Sequence, residues 1–144
     1  NSTKRLVKAP KIYIRDSGIL HHLTHVTDFN NLPGNLIVGA SWEGYALEEI
    51  IRNLPAGIHP YFYRTHHGAE VDLVLVKNNK PFYCIEIKHS ISPVLSDGFY
   101  HAVTDLNTSN SFLIYTGSDQ YITKQKVTVC GLSLFIKEYL RKLI

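Results

Sequence analysis

The sequence predicts an α/β domain in which a mixed central β-sheet carries helices on both faces. Three observations predict it. Three strand-like runs follow one another closely between residues 59 and 88, framed by helical stretches. The strand-like runs after them alternate with helical segments, the pattern of crossover connections rather than of a pure meander. Finally, 144 residues with 44% apolar and 19% charged side chains make about one domain with a single core.

Taken in order, "KAPKIYIRDSG" suggests an extended segment at 11–14, after which Asp16 or Ser17 caps a short helix running toward His25. "NNLPGN" at 30–35 is loop material. Residues 41–54 form the first long helix, stopped by Pro55 and Gly57. Strands follow at 59–65 ("HPYFYRT"), 70–76 ("EVDLVLV") and 81–88 ("PFYCIEIK"), separated by the turn-like "HHGA" and "KNNK". A second helix occupies 97–106, strands occupy 111–116 and 126–131, and "LSLFIKEYLRKLI" closes the chain as a helix. There is no internal repeat and no low-complexity tract.

Charge is unevenly placed. Lys4, Arg5, Lys8, Lys11 and Arg15 give the first 15 residues +5, whereas residues 16–144 hold 10 basic and 12 acidic side chains. The body is therefore not a basic nucleic-acid surface, and any such partner must be met at a local site helped by the arm. No apolar run reaches the roughly 20 residues a membrane span needs, so no membrane partner is expected. Cys84 and Cys130 lie in apolar runs without a disulfide pattern, which favours a reducing, cytoplasmic setting. The absence of methionine suggests a piece of a longer protein. Residues 1–38 read as a basic arm and lead-in, and 39–144 as the domain proper.

Side chains on a strand alternate faces. Val71, Leu73 and Leu75 share one face of the second strand, and Tyr83, Ile85 and Ile87 one face of the third. Making the greasy faces coincide pairs Val71 with Ile87, Leu73 with Ile85 and Leu75 with Tyr83, and sets Asp72 opposite Glu86. A two-residue Asn78-Asn79 turn would scramble this parity, so either an odd loop centred near Asn79 or a compensating bulge is expected. On the first helix, at about 100° per residue, Ala46, Leu47, Ile50, Ile51 and Leu54 lie within about 80° of Glu43. Glu43 thus sits on the buried stripe, while Glu48 and Glu49 point away as surface acids.

Glu43, Asp72 and Glu86 brought together would repel one another without a cation between them. Lys88 supplies one charge and a divalent ion two. Oxygen-only donors suit Mg²⁺ or Mn²⁺, which lower the pKa of a bound water and stabilise charge on an attacked phosphate. Lys88 would orient or deprotonate that water, or hold the scissile phosphate.

Glu43 on the helix, Asp72 on the second strand and "Glu86-Ile87-Lys88" on the third resemble the signature of the PD-(D/E)XK, or restriction-endonuclease-like, superfamily. The element order resembles its common core. "Val71-Asp72" stands where the signature has Pro-Asp, and the helix "DGFYHAVTDL" carries Tyr100 and His101 but no glutamine where many relatives have one. "KIYIRDSGILHHL", "GASWEGYALEEIIRNL", "YFYRTHHGAEVDLVL" and "CIEIKHS" together resemble the domain-of-unknown-function family 4143, which typically forms the C-terminal part of bacterial and archaeal AAA-type ATPases. No Walker motif occurs here, so the ATPase portion is expected upstream. The resemblance implies metal-dependent hydrolysis of nucleic acid, DNA above all. Asp72 and Glu86 would ligate the metal with the Ile87 carbonyl, Glu43 would act directly or through water, and Lys88 would activate or position the nucleophile. The alternative is a catalytically silent module that binds nucleic acid or protein for its ATPase.

Each candidate has a plainer explanation. Glu86 and Lys88 form a surface ion pair on a wetted sheet face, and Glu43 is an acid favoured by the helix dipole. Arg64, a candidate phosphate contact with Lys11 and Arg15, is equally a cross-strand partner of Glu70. His21 and His25 at i, i+4 lack a third zinc ligand, and His66 and His67 are exposed turn residues. Trp42, Tyr61, Phe62 and Tyr63 read as packing residues rather than base platforms.

Overall fold

A computed structural model describes residues 12–26, 28 and 36–143 of the protein. The elements are α1 (Ser17–Leu23), α2 (Val38–Arg52), β1 (Ile58–Arg64), β2 (Glu70–Lys77), β3 (Lys80–Lys88), α3 (Asp97–Leu106), β4 (Asn110–Tyr115), β5 (Tyr121–Ile122), β6 (Thr128–Gly131) and α4 (Leu132–Phe135). The six strands form one mixed sheet in the order β1-β2-β3-β4-β6-β5. β1, β2 and β3 are antiparallel, β3, β4 and β6 parallel, and β5 returns antiparallel on the far edge. The mixed α/β architecture is the one the sequence predicts. Only β5 is new: two exposed residues are too few for an alternation to register.

Helices cover both faces. Ala46, Leu47 and Ile50 of α2, with Leu132 and Phe135 of α4, pack on Leu73, Leu75, Tyr83, Ile85, Ile87, Phe112 and Ile114. On the other side Phe99 and Ala102 of α3 pack on Val71, Val74, Cys84, Leu113 and Val129. α1 is capped by Asp16, whose Oδ1 accepts the Ile19 N–H at 2.9 Å. The expected closing helix runs only four residues before a π turn, Ile136–Leu140, and a 3₁₀ turn, Arg141–Leu143. The i→i+5 geometry of the π turn aligns Phe135 and Leu140, five apart and both fully buried. Among the described residues no helix is long and apolar enough to cross a membrane.

Two irregularities set the sheet's registers. The β2–β3 turn is the two-residue Asn78-Asn79 pair, both left-handed at φ 52° and 59°, a conformation asparagine tolerates. It pairs Lys77 with Lys80 and Val76 with Pro81, after which Leu75 pairs with Tyr83. Phe82 is the extra residue of a compensating bulge, so Leu73–Ile85 and Leu75–Tyr83 meet as expected. A second bulge was not foreseen. Tyr61 pairs with Val74 and Tyr63 with Val71, which opposes Asp72 and Leu73 to Phe62 alone. Val71 is thereby turned onto the α3 side with Val74, away from Leu73 and Leu75. The β1 aromatics also differ from expectation. Tyr61 and Phe62 are 57% and 43% exposed because β1 is a sheet edge, and only Tyr63 is buried.

α3 is locked to the β1–β2 turn by a backbone contact. A Cβ on Gly98 would lie 2.3 Å from the carbonyl oxygen of Gly68, itself at φ +84°. Gly98→Ala therefore forces α3 off the sheet and should destabilise the protein by about 1–3 kcal/mol in urea denaturation. An unchanged midpoint would contradict this packing.

Candidate functional site

β3 lies inside the sheet, between antiparallel β2 and parallel β4. Ile85 and Ile87 are fully buried on the α2 side, so the intervening Glu86 and Lys88 project from the opposite face. The lysine reaches back along the strand, and its Nζ stands 2.7 Å from Glu86 Oε1. The Glu86 side chain is buried and that of Lys88 is 37% exposed, which makes this more than a surface pair.

Asp72 arrives from β2. Its residue is 7% exposed, and its Oδ2 accepts the backbone N–H of Ile87 at 3.0 Å. The expected direct opposition of Asp72 and Glu86 is thus modified. The β2–β3 ladder ends at Leu73–Ile85, and beyond it the Asp72 carboxylate, freed from both ladders by its bulge, makes the bridge. The N–H and C=O of one strand residue face the same neighbour, so the Ile87 carbonyl also faces the β2 side.

Glu43 comes from α2, one turn before the Ala46–Leu47 contact with the sheet. The Trp42 and His89 rings meet edge-on at 6.5 Å, which fixes this part of α2 against the end of β3. Burial pulls the Lys88 pKa down. The hydrogen bond and charge of Glu86, then the charges of Asp72 and Glu43, outweigh it and leave the pKa raised. Glu86 is thus in direct contact with Lys88, and Asp72 and Glu43 lie near enough for their charges to act on the same ammonium. Among the described residues no three or more His, Cys, Asp and Glu side chains form a ready ligand cluster.

The remaining candidates are placed otherwise. Arg15 donates from Nε to Glu48 Oε2 at 2.6 Å and from Nη2 to Glu48 Oε1 at 3.0 Å, and Arg52 Nε donates to the same carboxylate at 2.8 Å. Glu48 is therefore not the surface acid expected but 8% exposed, because the segment before α1 runs across this face of α2. Gly44 leaves the room: a Cβ there would touch the Ile14 carbonyl at 3.7 Å. Arg64 pairs with Glu70 at 3.4 Å, its cross-strand neighbour. Lys11 lies outside the described residues. α1 ends at Leu23, so His21 and His25 do not share a helix face. His21 instead hydrogen-bonds Ser41 Oγ at 2.7 Å. No glycine or other residue-type signal marks the Asp72 bulge, which could not be read from the sequence.

The geometry can be set beside known proteins. The family model described as "Domain of unknown function (DUF4143)" matches residues 38–135, and the chain belongs to that family. Over 121 residues, 84% of the chain, it is 38% identical to a protein of Mycobacterium bovis and equally to one of Mycobacterium tuberculosis, each described as an uncharacterized protein. The match covers 27% of each relative, so the chain spans about a quarter of their length. No solved structure matches.

The hydrogen bonds from Arg15, against the cost of burial, hold the Glu48 pKa below the usual carboxylate range, with Arg52 assisting. A depressed folded pKa adds stability above the unfolded value that is lost as pH falls through the folded one. Between about pH 5 and pH 3 the wild type should lose more urea stability than Glu48→Gln. Equal losses would show that the Arg15–Glu48–Arg52 cluster does not anchor the lead-in segment.

Proposed function

We propose that this DUF4143 domain is a metal-dependent nuclease of the PD-(D/E)XK superfamily that hydrolyses phosphodiester bonds of nucleic acid, DNA first. In this reading it serves as the C-terminal part of a cytoplasmic AAA-type ATPase. The observation that carries the reading is the junction of Asp72 with the Glu86-Ile87-Lys88 run: a buried carboxylate seated on the Ile87 N–H at 3.0 Å, beside a Lys88–Glu86 contact of 2.7 Å. The order α2-β1-β2-β3-α3-β4, with β3 and β4 parallel, resembles the restriction-endonuclease-like core. A matched region amounting to 27% of each curated relative fits a domain carried by a larger protein.

The donor set suits Mg²⁺ or Mn²⁺. Asp72, Glu86 and Glu43 offer carboxylate oxygens, hard donors of the kind such ions prefer, and their charges all act on Lys88. Asp72, Glu86 and the Ile87 carbonyl would hold it, with Glu43 acting directly or through water. When bound, such an ion stabilises charge on the phosphate and acidifies a water. The protein's own share is positioning. The Ile87 N–H fixes the Asp72 carboxylate before any ligand arrives, and Lys88 presents its ammonium to a phosphoryl oxygen or to the attacking water. Arg15 and Arg64 pair with Glu48 and Glu70 while their side chains stay 68% and 51% exposed, so each would have to exchange that weak pairing for a phosphate contact.

The second reading, a silent nucleic-acid- or protein-binding module of the ATPase, draws on that same commitment of both arginines to ion pairs. Cleavage separates the two. The 144-residue chain should cut labelled single- or double-stranded DNA or RNA with Mg²⁺ or Mn²⁺, should stop in EDTA, and should lose at least about a hundredfold in rate in Lys88→Ala. Cutting that survives both changes, or none at all in the wild type, would overturn hydrolysis at this site.

A further inference from the structure

Beside the carboxylate cluster lies a second feature, a cavity of about 540 Å³ between α2, the end of β4 and the start of α4. Its walls include Trp42 and Tyr45 of α2 and Tyr115 at the end of β4, with Ser118, Ser133 and Lys137 among the polar lining. It adjoins the cluster at three points. Tyr115 is the register partner of Lys88, one strand spacing of roughly 4.8 Å away. Trp42 precedes Glu43 and touches the ring of His89. Thr116 Oγ1 donates to the Ser90 carbonyl at 2.9 Å, tying the strand exits together.

The lining has the chemistry of a receptor for a flat, polar-edged ring. The Trp42 and Tyr45 rings stand 6.0 Å apart at 43°, and Tyr45 is 45% exposed, so an aromatic face is open to a ligand. The indole N–H of Trp42 is buried and has no hydrogen-bond partner among the described residues. Hydroxyls, the Lys137 ammonium and the Glu138 carboxylate stand round the same space, a mixture of donors and acceptors that suits heteroatom-bearing rings.

We propose that this cavity receives one unpaired nucleobase of a nucleic acid whose backbone crosses Lys88, which makes single-stranded or locally unpaired nucleic acid the substrate class. The proposal rests on the phosphodiester reading of the neighbouring cluster. A base inside a duplex cannot reach a pocket set into the domain, whereas an unpaired base stacks on an aromatic wall regardless of sequence.

Trp42 is the single tryptophan, so its emission reports the pocket directly. The 144-residue chain is titrated in EDTA, where no cleavage intervenes, with a ten-nucleotide single strand, its blunt duplex, and an abasic strand of equal length. The single strand should quench Trp42 saturably, and the duplex and abasic strand should bind at least about tenfold more weakly. Tyr45→Ala and Ser133→Phe, both at exposed positions, should weaken the single strand about tenfold by polarisation and leave the abasic strand unchanged. Equal binding of base-bearing and abasic strands, or undiminished binding by Ser133→Phe, would overturn the pocket. The two readings fail separately. Metal-dependent cleavage with unaltered Trp42 emission overturns the pocket alone. Quenching that Ser133→Phe removes, in a chain that never cleaves, upholds the pocket and overturns hydrolysis.

Discussion

The hydrogen bond from the Ile87 N–H to Asp72 Oδ2 stands at the point on which the rest of the site depends. Continuing the Leu73–Ile85 register would set Val71 against Ile87 and close the ladder with backbone alone. The bulge at Asp72 prevents this by turning Val71 to the α3 side, so a side-chain carboxylate takes the place of a main-chain carbonyl. The exchange satisfies a buried N–H with a charged acceptor, a bond of about 1.5–3 kcal/mol. It also ends the β2–β3 pairing at Leu73–Ile85, short of Glu86 and Lys88. Bulges recur beside active sites because they re-aim a side chain without breaking the sheet.

The protein solves the problem of a buried acid in two ways, and the contrast separates structure from site. Glu48 is paired with two guanidiniums, Arg52 one turn along the same helix and Arg15 from the segment before α1, which it ties to α2. Glu86 has one ammonium at 2.7 Å, and that ammonium also answers to Asp72 and Glu43. The first arrangement leaves no negative charge unmatched for a cation. In the second, a buried carboxylate and a half-exposed ammonium meet beside a bridging Asp72, an arrangement of the kind that recurs at functional sites. A purely structural role for the second cluster would be served equally well by a neutral set of hydrogen-bonding groups.

Much of this was legible in the sequence because core patterning leaves few options. The alternation in "EVDLVLV" and "PFYCIEIK" demanded Leu73–Ile85 and Leu75–Tyr83, and the parity conflict with a two-residue turn demanded the bulge found at Phe82. The same reasoning set Glu43 among Ala46, Leu47 and Ile50 of α2, which are buried, while Glu43 itself is half-buried. What could not be read depends on long-range contact rather than period. Glu48 lies on the polar arc of α2 and is buried only because the segment carrying Arg15 crosses it, 33 residues away in sequence. The Asp72 bulge has no glycine to mark it, and the exposed Tyr61 and Phe62 follow from β1 being an edge, a property of the assembled sheet. Residues 1–11, with Lys11 and most of the basic arm, fall outside the described residues.

The central claim is that Asp72 and Glu86, placed where the β2–β3 pairing ends, form a divalent-cation site. Calorimetric titration of Mn²⁺ into the wild type and into Asp72→Ala and Glu86→Ala tests it most directly. The account predicts saturable binding near one ion per chain, abolished in both variants while their circular dichroism stays that of a folded domain. Absence of binding in the wild type, or binding that both variants retain, would contradict it.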